Sequence, residues 1–179
     1  AGAPIEAVYT SDLQRAERTA VVISERLGFG GKVHRKEAFR EKKLGVIEGL
    51  TLAEAKEKEP EAYDRWRRGK GCPGAEDPSA VLRRVAGGLD GIERAHRGKR
   101  VVVVTHGGIL NSVHKLLTGK KFPGKIPNTS ISTITKARAA ADADADAEWE
   151  IQSYASSEHL VAQQIEFDNK AFGGRGETG

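Results

Sequence analysis

The sequence predicts an α/β fold built on a parallel sheet, and three observations carry that expectation. Residues 101–104 are four consecutive valines followed by Thr105, His106 and two glycines. A β-branched run of this kind reads as a strand buried on both faces, as the strands of parallel sheets are. A helical pattern precedes it (Val81, Leu82, Val85, Leu89, Ile92), and another follows it (Ile109, Leu110, Val113, Leu116, Leu117) up to Gly119. That alternation belongs to parallel α/β sheets. A second short apolar strand, residues 5–9, runs into a third helical pattern carried by Leu13, Ala16, Ala20, Ile23 and Leu27.

In open α/β sheets, ligands gather beyond the carboxyl ends of the strands, near the amino ends of the following helices. His106 occupies such a position. Gly107 and Gly108 admit close approach of another group, and the helix after them directs its positive end at the same place, which suits an anion. The plainer reading of His106 is a neutral imidazole tying one loop to another.

At 179 residues the chain is long enough for one substantial core, expected over residues 1–174 with a disordered tail at 175–179. The 29 basic and 25 acidic residues leave a net charge of only +4. The two signs are interleaved as on solvated helix faces, which disfavours nucleic acid as a partner and leaves a small anionic substrate. The single cysteine, Cys72, excludes an internal disulfide and a cysteine metal cluster and fits a reducing compartment, cytoplasm or organellar stroma or matrix. Neither a run of about 20 apolar residues nor a signal-peptide pattern appears, so the chain is expected to be soluble, with no membrane partner. The absence of methionine from all 179 residues implies that the natural N-terminus lies further upstream.

The elements follow in order. Ser11 and Gln14 form a capping-box pattern at the start of the first helix, which places Arg15 in its first turn. Residues 32–36, short and charged, read as an edge strand. A glycine-punctuated loop over residues 39–49 contains Glu41 between cationic neighbours, where a surface ion pair is the default role. Thr51 and Glu54 form a second capping box, opening a helical region through Trp66 that Pro60 divides. The basic residues around Trp66 (Arg65, Arg67, Arg68, Lys70) suit a solvated helix C-terminus; a lid over an anionic substrate is the other reading. Residues 71–74 form a loop, and Asp77 with Pro78 caps the helix that leads to the valines. Beyond Gly119 the spacing gives a loop to Asn128, a strand over residues 129–136, a solvated Ala/Asp-rich excursion over residues 139–147 and a strand over residues 149–154.

Three short strings now stand out in order: Ser11-Asp12-Leu13-Gln14-Arg15-Ala16, Phe39-Arg40-Glu41-Lys42-Lys43-Leu44-Gly45 and Thr105-His106-Gly107-Gly108. With Pro73-Gly74-Ala75-Glu76 and Pro127-Asn128-Thr129-Ser130 between and after them, they resemble the histidine phosphatase, or phosphoglycerate mutase-like, superfamily from Ala7 to about Gly174. The resemblance implies a three-layer α/β/α sandwich with a mostly parallel sheet. It also implies phosphomonoester hydrolysis through a phosphohistidine, with a small phosphorylated substrate and neither cofactor nor metal. On this resemblance Arg15 binds the phosphoryl oxygens, His106 stabilises the developing charge, and Glu41 protonates the leaving oxygen. Gly107, by a backbone donor, and Asn128, in the pocket wall, contact the substrate. These are electrostatic clamping and general acid catalysis, the requirements of phosphoryl transfer. Backbone donors are expected at helix starts near Ser11 and Gly107.

The sequence departs from the family at one point. The nucleophilic histidine of the family lies in an arginine-histidine-glycine motif at the end of a first, interior strand beside the valine strand, and that motif is absent. His34, His96, His114 and His159 fall on an edge strand, a helix end, a helix body and the tail. The chain by itself is therefore expected to be inactive and, with buried backbone groups unpaired at roughly 1–3 kcal/mol each, poorly stable. Two other readings within the family are a non-catalytic phospholigand-binding protein and a phosphoglycerate mutase-type transferase. The short stretch between Glu41 and Gly74 favours hydrolysis over the latter. A lipase-like hydrolase needs a Gly-x-Ser-x-Gly elbow, and there is none.

Overall fold

A computed structural model of the chain describes residues 3–136 and 148–161. It contains two compact units, one over Ala1–Val113 and one over His114–Asn169.

The first unit is built on a three-stranded parallel sheet, with helices, as the sequence predicts. β1 (Ile5–Thr10) is central, β2 (His34–Arg35) pairs along one edge and β3 (Arg100–Val104) along the other. Tyr9 is in register with His34 on one side and Val103 on the other, and Thr10 with Arg35 and Val104. The carboxyl ends of β1 and β3 therefore lie side by side, and the Ser11 N–H extends their ladder to the Val104 carbonyl at 3.0 Å.

α1 (Gln14–Arg26) packs on β1 and β3 through buried Ala16 and Ala20. Its start differs from the sequence reading. The N-cap is Leu13, without a side-chain cap, and the Ser11 hydroxyl oxygen instead accepts the Leu13 N–H at 3.2 Å. Since the Ser11 N–H is already in the sheet ladder, it is not the free helix-start donor that was expected.

The valine strand also differs. Val101 to Val104 are half-buried rather than buried on both faces. The reason is pairing: among the described residues β3 has β1 on one side and no strand on the other.

Between β2 and β3 the two capping signals hold. Thr51 and Glu54 form a complete capping box on α2 (Leu52–Lys58), and Pro60 opens α3 (Pro60–Arg67) as a separate helix. Both pack on a small core of Ile47, Ala55, Ala62 and Cys72, against which Leu44, Tyr63 and Trp66 rest. Trp66 thus faces inward, while Arg65, Arg67, Arg68 and Lys70 are exposed at the helix end, Arg68 pairing with Asp64 at 2.6 Å. Asp77 caps α4 (Pro78–Ala95), whose buried face is Val81, Val85, Leu89 and Ile92. α5 (Gly107–Thr118) follows β3, and Gly119 ends it at φ +74°.

In the second unit, β4 (Ile131–Lys136) and β5 (Trp149–Ser156) form an antiparallel pair, followed by α6 (Glu158–Val161). β4 starts later than the apolar pattern suggests because Thr129 takes φ +61°, which breaks the extended chain. The His114, Phe122 and Tyr154 rings cluster with centroids 5.1–5.3 Å apart. The Ala/Asp-rich excursion and the tail lie outside the described residues. Among the described residues no helix is long and apolar enough to cross a membrane.

Candidate active site

The two loops that leave the carboxyl ends of β1 and β3 meet at His106. Its side chain is buried, and its Nε2 lies 2.9 Å from the Ser11 hydroxyl oxygen. Burial, followed by the positive charge of Arg15, pushes the imidazole down to about 4, with Asp12 opposing and Arg84 adding to the depression. His106 is therefore neutral at pH 7. Because Ser11 Oγ already accepts the Leu13 N–H, its proton has one acceptor among the described residues, Nε2. When the hydroxyl donates to Nε2, the ring proton lies on Nδ1, where it is available as a donor.

Arg15 stands exposed in the first turn of α1, close enough for its charge to act on His106. Its guanidinium makes no ion pair among the described residues. The neighbouring cation is different: Arg40 holds Asp12 through Nε at 2.9 Å and a second, very short Nη2 contact. The hydrogen bond from Arg40 keeps the Asp12 carboxyl below its ordinary range.

Glu41 is not a surface ion pair. Its Oε2 accepts the Gly108 N–H at 3.1 Å and its Oε1 accepts the Lys42 N–H at 2.9 Å, which seats the carboxylate at the amino end of α5. A Cβ at Gly108 would run into that carboxylate, so glycine here is what lets the Glu41 side chain seat in this place. The Gly107 N–H makes no hydrogen bond among the described residues, and it lies in the same positive helix end.

Of the residues singled out from sequence, Arg15, His106 and Gly107 gather at the strand ends, with Glu41 on the adjacent Gly108. Asn128 belongs to the second unit, where its carbonyl accepts the Thr129 hydroxyl at 2.6 Å. Three side chains beside the site went unrecognised in the sequence: Ser11, Glu76 and Arg84. Arg84 had a readable signal, since it interrupts the inward face Val81, Val85, Leu89 of an otherwise apolar helix stripe.

The arrangement offers an unpaired guanidinium, a neutral imidazole with a free donor, a free backbone N–H and a carboxyl group around the ends of two parallel strands. This is a set that binds a small oxyanion and exchanges a proton with it. Residues 1–146 match the family model described as histidine phosphatase superfamily (branch 1). The chain belongs to that superfamily. It is 33% identical to a metal-independent phosphoserine phosphatase of Arabidopsis thaliana, over 94% of this chain and 68% of that protein. It is also 33% identical to phosphoglycerate mutase-like protein 4 of the same plant, over 98% and 74%. Among solved structures, a mycobacterial glucosyl-3-phosphoglycerate phosphatase in complex with inorganic phosphate superposes with a TM-score of 0.68 at 25% identity. That likeness covers 86% of this chain and 78% of the other. The histidine phosphatase relatives thus include named phosphatases and a mutase-like protein.

Proposed function

We propose that this chain carries the phosphate-binding and proton-donating part of a phosphomonoesterase acting on a small phosphorylated substrate. The observation that carries the reading is the convergence on His106: a buried neutral imidazole, with the unpaired charge of Arg15 acting on it, at the joined ends of β1 and β3. Arg15 and the Gly107 N–H hold the phosphoryl oxygens, and His106 donates from Nδ1 as charge develops on them.

The nucleophile in this reading is a further histidine belonging to the complete protein. Its nitrogen forms a P–N bond as the ester P–O bond breaks, and Glu41 gives its proton to the departing alkoxide. Water then attacks phosphorus as the P–N bond breaks, giving a proton to Glu41 and leaving inorganic phosphate and the free imidazole. None of the five histidines supplies that first nitrogen. His34 stacks on Tyr9, His96 bonds the Tyr9 hydroxyl and Glu6, His114 is bonded to the Lys120 carbonyl, and His159 lies in α6. The edge of β3 that has no strand partner among the described residues is where a strand bearing it fits, and the chain alone is inactive.

Two measurements test this. The complete protein incubated with phosphomonoesters yields free phosphate and an acid-labile, base-stable phosphoenzyme, whereas residues 1–179 yield neither. Turnover by residues 1–179 alone overturns the assignment of the nucleophile. Phosphate binding without turnover in the complete protein identifies a non-catalytic phospholigand-binding protein. The likeness to a mutase-like protein supports a second reading, and phosphate passed to an acceptor hydroxyl in preference to water would establish it.

A further inference from the structure

Glu41 sits on a loop held at both ends by two residues beside the site, Arg84 and Glu76, which pair with each other. Arg84 donates from Nε to Glu76 Oε1 at 2.7 Å and from Nη2 to Oε2 at 2.9 Å, a bidentate pair in which both side chains are about one-fifth exposed. Its remaining nitrogen, Nη1, donates to the Ala38 carbonyl at 2.8 Å, on the amino side of Glu41. On the carboxyl side, the Glu76 N–H donates to the Lys43 carbonyl at 3.1 Å. Arg84 thus ties Ala38 to the Glu76 side chain, and the Glu76 backbone holds Lys43, so the two residues together bracket the loop.

The neighbouring contacts tighten the same segment. The Thr105 hydroxyl donates to the Phe39 carbonyl at 2.8 Å, and Gly88 of α4 leaves room for Ala38 and Phe39, where a Cβ would come within 2.8 Å of the Ala38 methyl. Glu41 itself is held only by two backbone N–H groups. Its placement therefore depends on the loop, which the Arg84–Glu76 pair holds together with the Arg40–Asp12 pair and the Thr105 hydroxyl. A planar guanidinium suits this task because its three nitrogens diverge in fixed directions; an ammonium supplies charge without that geometry.

We propose that Arg84 and Glu76 are positioning residues for the proton donor, fixing the loop from Ala38 to Lys43 so that the Glu41 carboxyl reaches the leaving oxygen. This rests on the reading of Glu41 as general acid. It makes a distinction that a general structural role does not. An ester with a poor leaving group, such as an alkyl phosphate, needs the proton, and p-nitrophenyl phosphate, whose phenolate departs as the anion, does not.

The test compares kcat/KM, which reports phosphorylation and leaving-group departure without the hydrolysis step common to both esters, for an alkyl phosphate and p-nitrophenyl phosphate in the complete protein. Glu41→Gln sets the benchmark and is expected to lose about 100-fold on the alkyl ester and less than about 5-fold on the aryl ester. Arg84→Lys, which keeps the charge beside His106, and Glu76→Gln are expected to show the same selective loss in kcat/KM, about 10-fold or more. In the Glu41→Gln background they are expected to cost nothing further. Arg84→Lys retains stem and charge and decides the matter should Glu76→Gln fail to fold. Equal losses on both esters, no loss, or additive losses in the Glu41→Gln background overturn the positioning role while a selective benchmark stands. A benchmark without selectivity overturns the acid assignment of Glu41 and this proposal with it.

Discussion

The Nε2 of His106 and the hydroxyl oxygen of Ser11 lie 2.9 Å apart, both side chains buried, joining residues 95 positions apart in the chain. This contact ties the loop after β1 to the loop after β3, and with the Ser11 hydroxyl as donor it places the ring proton on Nδ1. Removing the hydroxyl leaves a buried acceptor without its donor, at roughly 1–3 kcal/mol. Ser11→Ala is expected to lower stability by that amount in urea denaturation. It also frees the tautomer, so nitrogen NMR of the labelled imidazole should move from one dominant Nδ1–H form to a mixture.

The depressed proton affinity of His106 makes stability depend on pH with a definite sign. The imidazole is about 4 in the folded chain, against an unfolded value near 6.5. Between these values the unfolded state binds the extra proton, so the stabilising contribution is complete above about pH 6.5 and is lost as pH falls through about 4. The full span is on the order of 3 kcal/mol. His106→Asn should flatten that part of the stability–pH curve; an unchanged slope between pH 6.5 and 4 would count against the buried neutral imidazole.

Gly108→Ala separates stability from function. Alanine is the better helix former by about 1 kcal/mol, yet its methyl would occupy the place of the Glu41 carboxylate. The variant of the complete protein is expected to stay within about 1 kcal/mol of the parent while reproducing the alkyl-ester defect of Glu41→Gln. Steady-state kinetics alongside thermal unfolding checks both halves.

Gly45→Ala is expected to damage the fold itself. Gly45 has φ +69°, and an added Cβ would meet the Pro73 carbonyl and come within 2.6 Å of the Ala75 nitrogen. Neither backbone can yield, because the Val46 N–H bonds to the Pro73 carbonyl at 3.1 Å and Leu44 bridges to Ala75. Left-handed strain alone is worth about 1–3 kcal/mol. The loss of stability in denaturant should reach or exceed that range.

The sequence was most legible where one physical requirement dominated. The caps at Thr51 and Asp77, the break at Pro60 and the strand-to-helix turn at His106 each follow from local chemistry, and all stand in the structure. Ser11 was misread because a serine three residues before a glutamine satisfies a helix cap as well as it satisfies a buried imidazole, and the partner is distant in sequence. The valines misled in a related way: a run of four says what a strand would bury, not whether a neighbour is present to bury it. Arg84 was legible as a charged residue on an apolar helix stripe, but its bond to the Ala38 carbonyl, 46 residues away, was out of reach for pattern reading.

The pocket centred on His106 is tested most directly by following its labelled imidazole in the complete protein while inorganic phosphate is added. Phosphate held by Arg15 beside the ring should raise the imidazole from about 4 by a saturable amount, and Arg15→Ala should abolish the response. A His106 resonance that ignores phosphate, or a response that survives Arg15→Ala unchanged, would contradict the account.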